Sequence, residues 1–272
     1  MAGTSGHVAP FARRFTARGS AVAVLPVRAG DESVLPAAEQ YRLCSTTDEL
    51  LEQSDVVLVL EDRHAGADHL ELVRPLLQAG IPTFVDKPLM PDLATSTELF
   101  ALAEQHGAVL MSSSSARYAD PVERLRRVHQ QAGLTSLTMT GTGELWFYGV
   151  HLAEMAVAIL GTGFETAQSV RDDAGWTARL RHRTGTTVTF ALEPAALVKE
   201  GFSLAARGPD TFEVSSLTDY GPWYDLLVDD VLTMARARAA PIDPLETLEV
   251  MRVLDAVERS AVLTTPATLT DG

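Results

Sequence analysis

The chain has 272 residues, enough for one large domain or two of ordinary size. Apolar residues make up 46%, and no apolar stretch approaches the length of a membrane span, so a soluble globular protein with no membrane partner is expected. A formal net charge of −14 with no basic run among aromatics argues against nucleic acid, and the single cysteine, Cys44, excludes an internal disulfide and a cysteine-built zinc cluster.

No cationic segment followed by an apolar block opens the chain, so a cytoplasmic address is expected. The first residues are MAGTSGHVAPFARRF. Gly3, Ser5 and Gly6 crowd into a tight turn that feeds a helix over Pro10–Arg18, the form of a dinucleotide phosphate loop. Such a turn follows a buried strand, yet only Met1 and Ala2 precede it here. Strands are then predicted at Ala21–Val27, Val56–Leu60, Thr83–Val85 and Val109–Met111, with helices at Thr47–Gln53, Ala67–Ala79 and Leu93–His106. Strands alternating with helices predict a doubly wound parallel sheet whose ligand lies beyond the C-terminal strand ends.

Past about residue 125 the rhythm changes. Leu134–Thr140, Thr166–Val170, Thr177–His182, Thr186–Leu192, Phe202–Ala206 and Thr211–Ser215 follow one another as strands, before helices at Trp223–Arg238 and Leu245–Val262. The expected fold is therefore α/β, a Rossmann-like domain over 1–120 and an α+β domain on a mostly antiparallel open sheet over 121–272. Alternation in the strands near 177–192 leaves one face uncovered, so a homo-oligomer, most simply a dimer, is expected. The tail Thr264–Gly272 is expected to fray.

Of the 22 basic residues 20 are arginine and no asparagine occurs, the mark of a GC-rich genome, so Lys87 and Lys199 stand out. In IPTFVDKPL an apolar strand runs into Asp86-Lys87-Pro88. Pro88 fixes the chain direction and aims Lys87, and a lysine at a buried strand end is partly desolvated and suited to proton transfer. The bland alternative is a surface lysine at a strand end. In LWFYGVHLAEMAVAILG, His151 opens an apolar helix, where the positive end of the dipole favours the neutral ring that can accept a proton. Glu154 lies three residues on, on the same face, placed to orient that ring or cap the helix. A packed core histidine is the alternative. In MSSSSARYADP a strand enters a polar loop where Arg117 and Tyr118 could meet an anionic or hydroxylated ligand.

Taken in order, these stretches resemble the Gfo/Idh/MocA family of glucose-fructose oxidoreductase and inositol dehydrogenase relatives. The family's E-K-P motif corresponds to Asp86-Lys87-Pro88, its arginine–aromatic pair before a proline to Arg117, Tyr118 and Pro121, and its catalytic histidine to His151. PIDPLETLEV resembles the stretch before its last helix. The resemblance implies an NAD(P)-dependent oxidoreductase on a small sugar, polyol or hydroxylated intermediate. Lys87 would polarise the reacting oxygen and His151 would move its proton. It also implies a coenzyme site of Gly3, Ser5, Gly6, His7, Arg28 and Asp86, a substrate site including Arg117, Tyr118, Tyr148 and Glu154, and no metal.

Three departures matter. The glycine turn has two glycines rather than three, Phe147 stands where the family often has an aspartate, and Arg28 falls near the acidic residue that holds the adenosine ribose. An arginine there suits a 2′-phosphate, hence NADP over NAD. With most of the first strand missing, the turn lacks support, and ordering it would cost about 1–2 kcal/mol per residue, so weak coenzyme binding is expected unless another segment fills the slot. A non-redox acid–base enzyme built on Lys87 and His151 is the competing reading, and a catalytically silent scaffold is a third.

Overall fold

The structure, a computed structural model, describes residues 1–2, 6–26, 41–61, 69–196, 201–263 and 265–269. The chain forms two compact units, Met1–Ser113 with Tyr224–Pro244, and Ser114–Trp223 with Leu245–Gly272. The division thus differs from a single cut at residue 120, since a later helical segment groups with the first unit.

In the first unit the elements are α1 (Val8–Ala17), β1 (Ala23–Val24), β2 (Arg42–Leu43), α2 (Thr47–Glu52), β3 (Val57–Val59), α3 (His69–Gln78), β4 (Thr83–Val85), α4 (Leu93–Gln105) and β5 (Leu110–Ser112). Thr46 and Asp92 cap α2 and α4 by accepting from the amides of Glu49 and Thr95. The strands β3, β4 and β5 are buried throughout, as expected where helices cover both faces of a parallel sheet.

The central position of this sheet is filled by Met1 and Ala2. Ala2 bridges in parallel to Leu25 on one side and Val59 on the other. Its amide donates to the Leu58 carbonyl at 2.7 Å, its carbonyl accepts from Leu60 at 2.7 Å, and Met1 accepts from Leu25 at 2.8 Å. The Met1 ammonium donates to the Ala23 carbonyl at 2.6 Å, and burial pushes that amine down to about 5. The spatial order is β2, β1, Met1–Ala2, β3, β4, β5, which in chain order is 3-2-1-4-5-6, the doubly wound arrangement. The expectation of an unsupported turn is corrected accordingly: two residues hold the slot from both sides. A cavity of about 590 Å³ adjoins it, lined among others by Met1, Ala23, Val56, Leu58 and Leu232.

In the second unit α5 (Asp120–Ala132), β6 (Ser136–Thr142), α6 (Val150–Leu160), β7 (Phe164–Asp172), β8 (Gly175–His182), β9 (Thr187–Glu193), β10 (Phe202–Gly208) and β11 (Thr211–Leu217) follow. Then come α7 (Gly221–Ala237), most of which groups with the first unit, α8 (Pro244–Leu263) and β12 (Ala267–Thr268). The sheet order is β11-β10-β6-β9-β8-β7-β12, antiparallel except for β6 against β9. Leu137, Met139, Leu180, Val188, Phe190 and Leu204 face a core shared with α5, α6 and α8. The opposite face carries Thr138, Thr177, Arg179 and Arg181, exposed.

Three elements depart from the sequence reading. Helix α5 was not predicted: five of its thirteen residues are charged, and it buries only Val122 and Leu125. Strand β2 has two exposed residues. The tail expected to fray instead pairs Ala267 and Thr268 with Ala167 and Thr166.

Candidate functional site

Strand β4 ends at Val85, and the ladder continues one step further, the Asp86 amide donating to the Val59 carbonyl at 2.9 Å. Asp86 and Lys87 are both buried, Lys87 at 5% exposure, so this turn carries two charged groups out of water. His7, the residue before α1, donates from Nδ1 to the Asp86 carboxylate at 2.5 Å. Burial alone pushes the Asp86 carboxyl up, but His7 and then the Lys87 ammonium outweigh it and hold the group well below the usual carboxylate range. Ala2 is thus held by two strands, and His7 by Asp86 just past β4.

His69, fully buried, braces the same turn. Its Nδ1 faces the Leu89 carbonyl at 3.0 Å and its Nε2 the Glu61 carbonyl at 2.5 Å, tying the start of α3 to the residues after Lys87. Helix α1 is fixed from outside by Arg18, whose Nε donates to Asp229 at 2.5 Å, and by Phe11, whose ring meets Phe84 at 5.9 Å and Tyr224 at 5.5 Å.

This geometry fits a dinucleotide. The sheet reverses its strand order at Met1–Ala2, the place where doubly wound sheets bind ligands. The first turn of α1 presents the amides of Val8 and Ala9, which have no partner within the helix. A side chain grown on Gly6 would meet nothing within 4 Å, so the backbone there is open to close approach. Of the residues expected at this site, Gly6, His7 and Asp86 are brought together, while Gly3, Ser5 and Arg28 lie outside the described residues.

In the second unit the serine loop and the start of α6 form a ladder. Ser114 begins a short 3₁₀ turn over Ser115–Tyr118, and its Oγ accepts from the Ala116 amide at 3.0 Å. The same oxygen lies 2.6 Å from His151 Nδ1. Three residues along each element, Arg117 donates to Glu154 at 2.6 Å and also to Glu246 at the start of α8. Burial disfavours the Arg117 guanidinium, but the two carboxylates outweigh that and hold it firmly protonated. Its charge, and that of Glu154, is met inside the protein.

His151 is half-buried and lies in a row of rings. Its centroid is 6.2 Å from Tyr148 and 5.1 Å from Phe202, which continues to Tyr220 at 6.3 Å and Trp223 at 5.1 Å beyond. Tyr148 sits in the π turn Leu145–Gly149, and Tyr118 packs half-buried on the core. Sequence reasoning did not single out Ser114, His69, Glu246 or Phe202. A serine run carries no distinguishing pattern, whereas Glu246 lies in the PIDPLETLEV stretch that did draw notice.

Residues 2–114 match the profile of an oxidoreductase family with an NAD-binding Rossmann fold, Gfo/Idh/MocA. The match covers less than half of the chain. The uncharacterized oxidoreductase YhhX of Escherichia coli K12 is 26% identical over 158 residues, 52% of this chain and 46% of that protein, so the match spans about half of the relative's length. Among solved structures, GenD2 from gentamicin A biosynthesis, in complex with NAD, superposes with a TM-score of 0.88 at 16% identity, over 99% of this chain and 95% of its own. The myo-inositol dehydrogenase of Lactobacillus casei, in complex with NAD(H) and myo-inositol, gives 0.84 at 14% identity, over 100% and 96%. These likenesses show that the chain shares the fold of these solved proteins. Among the described residues no group of three or more histidine, cysteine or carboxylate side chains could hold a metal, and no helix is long and apolar enough to cross a membrane.

Proposed function

We propose that this chain is an NAD(P)-dependent oxidoreductase that moves hydride between a nicotinamide coenzyme and a hydroxyl or carbonyl of a sugar, polyol or hydroxylated biosynthetic intermediate. The observation that carries this reading is the His7–Asp86 pair, which joins the glycine turn to the strand end bearing the buried Lys87. When bound, the coenzyme supplies or accepts the hydride. The α1 amides and Gly6 hold its phosphates, and Arg28 favours NADP over NAD. Lys87 polarises the reacting oxygen, and His151 takes or returns its proton. The row Tyr148, His151, Phe202 suits a ring whose C–H faces lie against aromatic surfaces and whose hydroxyls need few, well-placed partners. Arg117 and Glu154 serve this site by fixing its walls, with Tyr118 and Tyr148 at the substrate. Myo-inositol in one structural neighbour is a substrate of the same kind.

The exposed face of the second sheet, with Thr138, Thr177, Arg179 and Arg181, is the surface through which two copies associate. Light scattering at high micromolar concentration is expected to give the mass of a dimer, and a monomer counts against that part of the reading.

The function is tested by following nicotinamide absorbance with NAD and NADP across a panel of inositols, hexoses and amino sugars. At least one pairing is expected to turn over. Lys87→Met and His151→Ala are each expected to lower kcat by about 10²–10⁴-fold, the usual worth of a positioned acid or base. Turnover unaffected by either substitution, or no turnover with any pairing, contradicts the proposal.

A further inference from the structure

The structure gives His151 a hydrogen-bonding partner in Ser114, and we propose that Ser114 is a positioning residue that fixes the ring orientation and the neutral tautomer of His151. The inference rests on the reading of His151 as the proton carrier. A histidine opening a helix has two ring nitrogens and two side-chain bonds about which to turn, so something must decide which nitrogen faces the substrate. Phe147, four residues ahead, offers no hydrogen-bonding group and packs edge-on against Tyr148 at 5.2 Å. Ser114 lies 2.6 Å from Nδ1.

Ser114 is itself immobilised. It is 1% exposed, and its Oγ accepts from the Ala116 amide at 3.0 Å, so it cannot rotate away without uncapping the 3₁₀ turn. The turn in its place is locked to α6 by the second rung, Arg117 to Glu154, and to α8 through Glu246. Both rungs join residues 37 apart in the chain, and on each element the two residues are three apart, so they stand on one face and act together. The stronger, charged rung sets the spacing, and the serine rung uses it.

A serine oxygen has two lone pairs. One takes the Ala116 amide, and the other takes Nδ1–H of His151. The proton is then on Nδ1, and the lone pair of Nε2 is the one available to accept a proton from a substrate hydroxyl. When Nε2 gains that proton, the Nδ1–H bond to serine is unchanged, so the ring is in the right orientation before and after transfer. A neutral hydroxyl does this without fixing a negative charge beside the ring.

The test reads the ring directly and needs neither substrate nor coenzyme. Long-range ¹H–¹⁵N spectra of the imidazole side chains are recorded for the whole protein at a pH where His151 is neutral, with His151→Gln identifying its signals. The expected wild-type result is a single neutral tautomer protonated at Nδ1. Ser114→Ala is expected to give averaged nitrogen signals, and Ser114→Thr, which keeps the hydroxyl, to restore the wild-type pattern. With a substrate that turns over, Ser114→Ala should lower kcat about tenfold, the worth of one lost hydrogen bond, with KM and coenzyme affinity within twofold. A wild-type ring protonated at Nε2 or exchanging between tautomers overturns the inference, as does a Ser114→Ala spectrum identical to wild type. Failure of the oxidoreductase reading shows instead as absent turnover with the Nδ1–H tautomer intact.

Discussion

In the parallel sheet no described strand exceeds three residues and the central one is Met1–Ala2, whereas β6 to β11 run seven to nine residues each. Of the short strands, β3, β4 and β5 are buried on both faces and depend on the helices that cover them. The long ones bury alternate residues and gain a full ladder besides. Buried charge is placed differently too. In the first unit Asp86 and Lys87 sit just past the C-terminal end of β4, the side on which doubly wound sheets bind ligands, while in the second Arg117 is closed in by two carboxylates. The first unit spends its charge on a site and the second on a framework.

Breaking that framework should have the largest effect. Arg117→Met removes the ion-pair partner of the buried Glu154 and is expected to cost about 3–5 kcal/mol, the usual penalty for opening a buried ion pair from one side. Trp146, Trp176 and Trp223 all belong to the second unit, so urea unfolding followed by tryptophan fluorescence reports this loss. A shift below about 1 kcal/mol would show the triad to be dispensable.

Lengthening the shortest strand sharpens the comparison from the other side. Two or three apolar residues joined ahead of Met1 would enter the neighbouring cavity and replace a buried amine by a peptide amide. The expected gain is about 2 kcal/mol, one well-buried aliphatic side chain's worth. Leu25 and Leu60 already bond to Met1 and Ala2, so slower hydrogen exchange at Ala23 and Leu58, the next amides facing the slot, is the signature. Exchange unchanged there would mean that the added residues stay outside the sheet.

Acid separates the two units by a smaller margin. His182 is held neutral chiefly by burial, with His129 and Arg183 adding to the effect, and its ring faces the Thr162 carbonyl and the Thr184 hydroxyl. Burial likewise lowers His129. A histidine with a depressed folded value contributes stability that is present above its unfolded pKa of about 6.5 and is lost as pH falls below it. Asp86, depressed as well, loses its contribution only below about pH 4. The tryptophan-reported transition should therefore weaken as pH falls below about 6.5, and His182→Gln should flatten that dependence. A pH-independent midpoint across this range contradicts the assignment.

The second sheet was legible because six strands alternate apolar and polar residues over long runs, so even their order of appearance could be read. The places of Lys87, just past an apolar strand, and of His151, in the first turn of an apolar helix, were legible from the segments they end or open. What stayed hidden was set by distant partners. Nothing in HVAPF or VDKP announces that His7 and Asp86 bond across 79 residues, and nothing in SSSS marks Ser114 as the one facing a histidine. Strand β2 and β12, two residues each, exist through pairing alone. The support of the glycine turn was misjudged for the same reason: Met1 and Ala2 are a strand only by virtue of the neighbours on either side.

The central claim is that the first unit still holds a dinucleotide on this short strand. Titration of the whole protein with NADH and NADPH, read by nicotinamide fluorescence, tests it most directly. The account predicts binding in the micromolar range, and about tenfold weaker binding for His7→Ala, which unpins the turn from Asp86 at the cost of one charge-assisted hydrogen bond. No binding of either coenzyme at millimolar concentration would contradict it.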